Sequence, residues 1–97
     1  MTIAMQYVLT AAEGRDGALE AALRDLGALV RPTPGCDGVE ILRDSRRPER
    51  FVFVEKWAST QAHRDAAGIL PKDAFEPVMA LLSEKPDAAC LERLQSL

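Results

Sequence analysis

The chain predicts an α+β fold in the order strand, helix, strand, strand, split helix, strand, and three patterns lead there. Ile3, Met5, Tyr7 and Leu9 alternate with Ala4, Gln6, Val8 and Thr10, the period of two that marks a strand. Leu19, Ala22, Leu23, Leu26, Leu29 and Val30 recur at helical spacing. From Phe51 to Trp57 the chain is apolar on both faces until Glu55: Phe51, Phe53 and Trp57 point one way, Val52 and Val54 the other. A strand apolar on both sides has to be covered on both sides.

The elements follow in order. The first strand breaks at Glu13-Gly14-Arg15-Asp16-Gly17. The helix after it carries Glu20 and Arg24 four residues apart on its polar side, a weak supporting pair. Pro32 and Pro34 end it. Val39 to Asp44 is the second strand and Phe51 to Trp57 the third. Ser59 suits an N-cap for a short helix through Ala67, which Gly68 and Pro71 interrupt. Asp73 with Glu76 resembles a capping box for a second piece whose buried side would be Phe75, Val78, Met79 and Leu82. Lys85-Pro86-Asp87 turns the chain into a last strand, Ala88 to Gln95. The resulting βαββαβ order is the ferredoxin-like plan, an antiparallel sheet with helices on one face.

The length of 97 residues suits one domain, 1–97, with a modest core. A net charge of −3 argues against a nucleic-acid partner. No apolar run approaches a membrane span, and the first residues lack the basic start of a signal peptide. Cys36 and Cys90 show no metal-ligand spacing and read as reduced packing residues of a cytoplasmic protein. If Phe53 and Trp57 face the helices, Val52 and Val54 share the other face with Val8, Leu42 and Leu91. A chain this short has nothing left to cover that face, so a second copy is expected, making a homodimer.

Pro34-Gly35-Cys36, Val39-Glu40-Ile41, the run Pro48-Glu49-Arg50-Phe51-Val52-Phe53-Val54-Glu55-Lys56-Trp57 and Ala62 together resemble the antibiotic biosynthesis monooxygenase family. The resemblance spans nearly the whole chain and is strongest from Gly35 to Trp57. It implies ferredoxin-like subunits joined sheet to sheet as a dimeric α/β barrel. It also implies relatives that include cofactor-independent oxygenases of polycyclic phenols, quinol monooxygenases, haem-degrading enzymes and a sugar-phosphate isomerase.

Carried over residue by residue, the resemblance puts Trp57 where the studied oxygenases have a pocket tryptophan, able to donate its N–H and to stack on a planar ligand. His63, the only histidine, stands where the phenol-oxidising branch has a tyrosine; an imidazole there can act as acid, base or hydrogen-bond partner, or sit exposed beside Arg64 and Asp65. Phe53 replaces that branch's asparagine, and Ala66 or Ala67 stands in the region of the haem branch's iron-ligating histidine. No haem, metal or organic cofactor is therefore expected.

Tyr7 shares a strand face with Met5 and Leu9 and offers a hydroxyl to an apolar cavity. By parity and helical spacing, Tyr7, Phe53, Trp57, Phe75 and Met79 are expected to line one cavity between helices and sheet, with His63 at its edge. Glu55 falls on the same strand face and needs a partner, as a structural group or as a base. Arg43, Arg46, Arg47 and Arg50, interleaved with Asp44 and Glu49, read as a solvated hairpin. Two function classes follow. One is an oxygenase without cofactor, acting through Trp57, His63 and Tyr7 on a small aromatic molecule of phenolic or quinol type, with Phe53, Phe75 and Met79 as binding residues. The other is a dimeric ligand-binding or stress-related protein of the same fold without catalysis.

Overall fold

Alternation along the strands sets the architecture. In the computed structural model, which describes residues 1–97, the elements run β1 (Ile3–Thr10), α1 (Asp16–Val30), β2 (Cys36–Arg43), β3 (Arg50–Trp57), α2 (Thr60–Ile69), α3 (Glu76–Met79) and β4 (Asp87–Glu92). The four strands form one sheet in the order β2-β3-β1-β4, every neighbouring pair antiparallel. This is the ferredoxin-like βαββαβ fold.

On β3 the odd-numbered residues Phe51, Phe53, Glu55 and Trp57 are buried and the even-numbered ones only half so. Register places Leu9 opposite Phe51, Tyr7 opposite Phe53, Met5 opposite Glu55 and Ile3 opposite Trp57. These residues share the side of the sheet that meets the helices. The stripe Leu19, Leu23, Leu26 and Val30 of α1 is buried against it, each side chain worth about 1.5–3 kcal/mol of transfer free energy. Leu29 falls off the stripe and is exposed. The other side of the sheet carries Val8, Leu42, Val52, Val54 and Leu91, none of which is fully buried within the chain. No helix is long and apolar enough to cross a membrane.

Ser59 caps α2 as its residue type suggests: its Oγ accepts the Ala62 N–H at 3.0 Å. The helix continues through Gly68 to Ile69, so that glycine does not interrupt it; Pro71 follows just beyond. α3 is a single turn. Its N-cap is Phe75, without a side-chain cap, and Asp73 contributes only its backbone carbonyl, which accepts the Glu76 N–H at 3.1 Å. Of its expected buried side, only Val78 is buried; Phe75 and Met79 are partly exposed. β2 starts at Cys36, earlier than its apolar run, through a bulge between Cys36 and Gly38. β4 ends at Glu92, short of Gln95, because Glu92 already pairs with Ile3, the first residue of β1. Cys36 is buried, but Cys90 is exposed on the edge strand β4, so it is not a packing residue.

The segment after α3 is tied back to the end of β1. The Ala12 N–H donates to Leu81 O at 2.8 Å, and the Ser83 N–H to Thr10 O at 3.0 Å. At the hairpin between β2 and β3, Asp44 Oδ1 accepts the N–H groups of Arg46 and Arg47, and Arg50 bonds Oδ2 at 3.3 Å. Those backbone hydrogen bonds hold the Asp44 carboxyl below the usual range. Arg43 pairs with Glu20 and Arg47 with Glu49, so the hairpin is a solvated turn.

Gly35 has φ +84° and joins α1 to β2 where α2 packs over the turn. Its carbonyl accepts the Ala58 N–H at 2.8 Å, and a Cβ there would lie 2.5 Å from the Cβ of Ala62. Gly35→Ala combines a left-handed backbone with a clash and should destabilise the fold by about 1–3 kcal/mol. Urea unfolding followed by the fluorescence of Trp57 checks this; an unchanged midpoint would refute it.

Candidate active site

A cavity of about 350 Å³ lies between the sheet and the helices, within the range of roughly 300–1,000 Å³ usual for small-molecule sites. The sheet contributes Tyr7, Leu9 and Phe53; α1 contributes Leu23 and Leu26; α3 and its flanks contribute Phe75, Val78, Met79 and Pro86. The one-turn helix α3 leaves Phe75 and Met79 partly exposed, as walls and rim of the cavity. The Tyr7 and Phe53 rings meet at 6.3 Å between centroids, tilted by 50°. The Tyr7 hydroxyl is the one polar side-chain group among these walls.

Four of the residues singled out in the sequence, Tyr7, Phe53, Phe75 and Met79, thus share the cavity. Trp57 does not line it. It lies on the correct face of β3 but four residues beyond Phe53, about 13 Å along the strand at strand rise. The residue is 1% exposed, and its Nε1–H donates to Glu55 Oε1 at 3.1 Å. That donor is already used, and the ring has no surface for a ligand in the cavity to stack on. His63 also stands outside the lining. It is half-buried on α2, with its ring 5.6 Å from that of Trp57. Parity identified the face of each strand residue but not its place along the strand, and α2 covers the Trp57 end of the sheet. The walls Leu9, Leu23, Leu26, Val78 and Pro86 have no signal that separates them from ordinary core residues.

Burial governs the electrostatics. Glu55, 2% exposed, has its carboxyl pushed above the usual carboxylate range by desolvation, with the Trp57 N–H pulling part of the way back. The Tyr7 hydroxyl is pushed up to about 12 by burial, by the Glu55 charge and by Cys90, so it stays protonated and able to donate. Desolvation lowers His63, which favours the neutral imidazole. No group of His, Cys, Asp and Glu side chains is arranged to hold a metal ion.

A βαββαβ chain with an apolar cavity and one polar handle between its layers is an α+β protein of the ferredoxin-like plan. The chain belongs to the antibiotic biosynthesis monooxygenase family, whose model matches residues 2–68. Among solved structures it is similar to Rv0793 from Mycobacterium tuberculosis, with 19% identity over 99% of this chain and 98% of that one, at a TM-score of 0.86. A variant of SnoaB, a cofactor-independent oxygenase from Streptomyces nogalater, is 18% identical over 99% of this chain and 96% of that one, at a TM-score of 0.87. A protein of unknown function from Nitrosomonas europaea is 21% identical over 99% of this chain and 92% of that one, at a TM-score of 0.83. At these identities the likeness establishes the fold. No curated protein matches the sequence.

The raised Glu55 carboxyl has a consequence for stability. Folding is most favoured with this group neutral, so its contribution is fully present below the usual value of 4.5 and is lost as pH rises through the raised folded-state value. Glu55→Gln keeps an acceptor for the Trp57 N–H and never carries charge. Its melting temperature should exceed that of the wild type near neutral pH, and the gap should narrow as pH falls toward 4.5. A gap independent of pH would show that burial does not disfavour the charge.

Proposed function

We propose that the protein is a cofactor-independent monooxygenase acting on a planar phenolic or quinol-type molecule bound between helices and sheet. The observation that carries this reading is the cavity: apolar walls, a volume of about 350 Å³ and a single protonated hydroxyl. Membership in the family and similarity to a cofactor-independent oxygenase support it. Such a reaction asks the protein for a dry space and a hydrogen-bond donor for the oxygen that gains negative charge. Tyr7 supplies that donor, in the part first assigned to Trp57. Phe53, Phe75 and Met79 supply flat, adaptable contact area. Trp57 and His63 pack against each other outside the cavity and take no part in it.

A second reading, a ligand-binding protein of this fold without catalysis, is favoured by two specific features. The Trp57 N–H is occupied by Glu55, and His63 does not reach the cavity. Oxygen uptake across hydroquinones and anthrones separates the two readings. Turnover is expected from the wild type, with a loss of about tenfold or more in Tyr7→Phe, the size of one lost donor to a developing oxyanion. Met79→Trp fills the cavity from its exposed rim and should weaken ligand binding by about tenfold while leaving the melting temperature unchanged. Binding without oxygen uptake would favour the second reading.

The working form is proposed to be a cytoplasmic homodimer closed into a barrel through the outer sheet face. Val52 and Val54 there are only half-buried, while Leu42 and Leu91 stay exposed within one chain, and a second copy covers them most simply. Sedimentation should give twice the chain mass at micromolar concentration. Val54→Glu places a charge in the middle of that face and should release monomers; a wild-type monomer would end the proposal.

A further inference from the structure

The cavity discriminates by what its walls lack. Eight of its nine lining residues are hydrophobic, and the ninth, Tyr7, brings one hydroxyl. None of the chain's 12 lysines and arginines is among them. Arg24 follows Leu23 in α1, but it is on the polar side of that helix, paired with Glu20 at 3.2 Å. Lys85 precedes Pro86 in the chain, but it is exposed and outside the lining.

The charge around the cavity does not make up for this. The segment from Pro71 to Pro86, which supplies Phe75, Val78, Met79 and Pro86, carries Asp73, Glu76 and Glu84 against Lys72 and Lys85. Any charge on Glu55 is also negative, and it is one of the causes that raise Tyr7. An ion that enters such a space gives up its water and meets no opposite charge. That costs far more than desolvating a neutral hydroxyl, whose loss one donor can offset.

We propose that the cavity selects uncharged hydroxyaromatic molecules and rejects those that carry a carboxylate beside the phenolic oxygen. The inference rests on the reading of the cavity as a site for phenolic molecules, and narrows it. The ligand's oxygen accepts from the Tyr7 hydroxyl, the one polar side-chain group on the walls, and its rings lie against Phe53, Phe75 and Met79. A carboxylate on the neighbouring ring carbon is then held inside with the oxygen, among apolar walls and without a cation. Hydroxyaromatic acids of this kind are excluded by their charge, whereas their amides and the parent phenols are admitted.

Three compounds test this: 2-naphthol, 3-hydroxy-2-naphthoate and 3-hydroxy-2-naphthamide, which has the shape of the acid without its charge. Calorimetry measures the binding of 2-naphthol, and displacement of 2-naphthol by each of the others makes all three report on one site. At neutral pH the amide should displace 2-naphthol, and the carboxylate should need about a hundredfold higher concentration than the amide. Met79→Lys brings a cation in from the exposed rim and should narrow that gap by about tenfold. Should Met79→Lys fail to fold, the wild-type competition alone decides. A carboxylate that competes as well as the amide overturns the proposal and leaves the cavity reading intact. So does an amide as poor as the carboxylate, because shape and not charge would then decide, or a gap that folded Met79→Lys leaves unchanged. If 2-naphthol does not bind, or if Met79→Trp leaves its affinity unchanged, the cavity reading falls and the proposal with it.

Discussion

Phe51, Phe53, Glu55 and Trp57 take the buried side of β3, and the placement of the remaining elements follows from that choice. Because β3 lies between β1 and β2, its inner side needs a helical cover, and α1 and α2 both contribute to it. Two large apolar rings at the Leu9 end and a tryptophan at the Ile3 end supply the burial. The carboxylate between them is the exception, tolerated because the indole N–H reaches it. The sheet accordingly has two inner regions: a dry cavity beside Phe53 and a filled, hydrogen-bonded end at Trp57.

That division clarifies what the family relationship carries. The chain keeps the family's fold, but the Trp57 indole's donor is turned to an internal carboxylate, and the position four residues earlier is the ring of Phe53. The polar equipment beside the cavity is reduced to a tyrosine hydroxyl. In the proposed reading, chemistry there rests on the Tyr7 hydroxyl meeting a ligand oxygen, a narrower demand than a full hydrogen-bonding network.

Much of the fold was legible because period and punctuation are local properties. The alternation of β1, the Leu19–Val30 stripe, the Ser59 cap and the prolines after α1 each act within a few residues, and each is found in the structure. The boundaries that moved are set by partners instead. β4 stops where β1 begins, and β2 gains Cys36 through a bulge against Trp57. The site was less legible for the same reason. Parity put Tyr7, Phe53 and Trp57 on one face, but which of them meets empty space depends on where α2 lands and how short α3 is. Neither is written in the strand. The Glu55–Trp57 bond joins residues two apart on one strand face and was open to inspection; only its burial shows how tightly the indole is committed.

The shortness of α3 also sets how a ligand gets in. The roof over the cavity is one helical turn with one buried side chain, Val78, held to the body by a few backbone hydrogen bonds at Ala12 and Ser83. The floor is the doubly hydrogen-bonded centre of a sheet. Opening free energies differ most between elements of these two kinds. The entrance is therefore on the helical side, and passage through it disturbs neither the sheet nor the outer face assigned to a second subunit. In the proposed dimer, ligand exchange and subunit exchange would be mechanically separate: the first needs only the opening of a loop, the second the separation of a folded core.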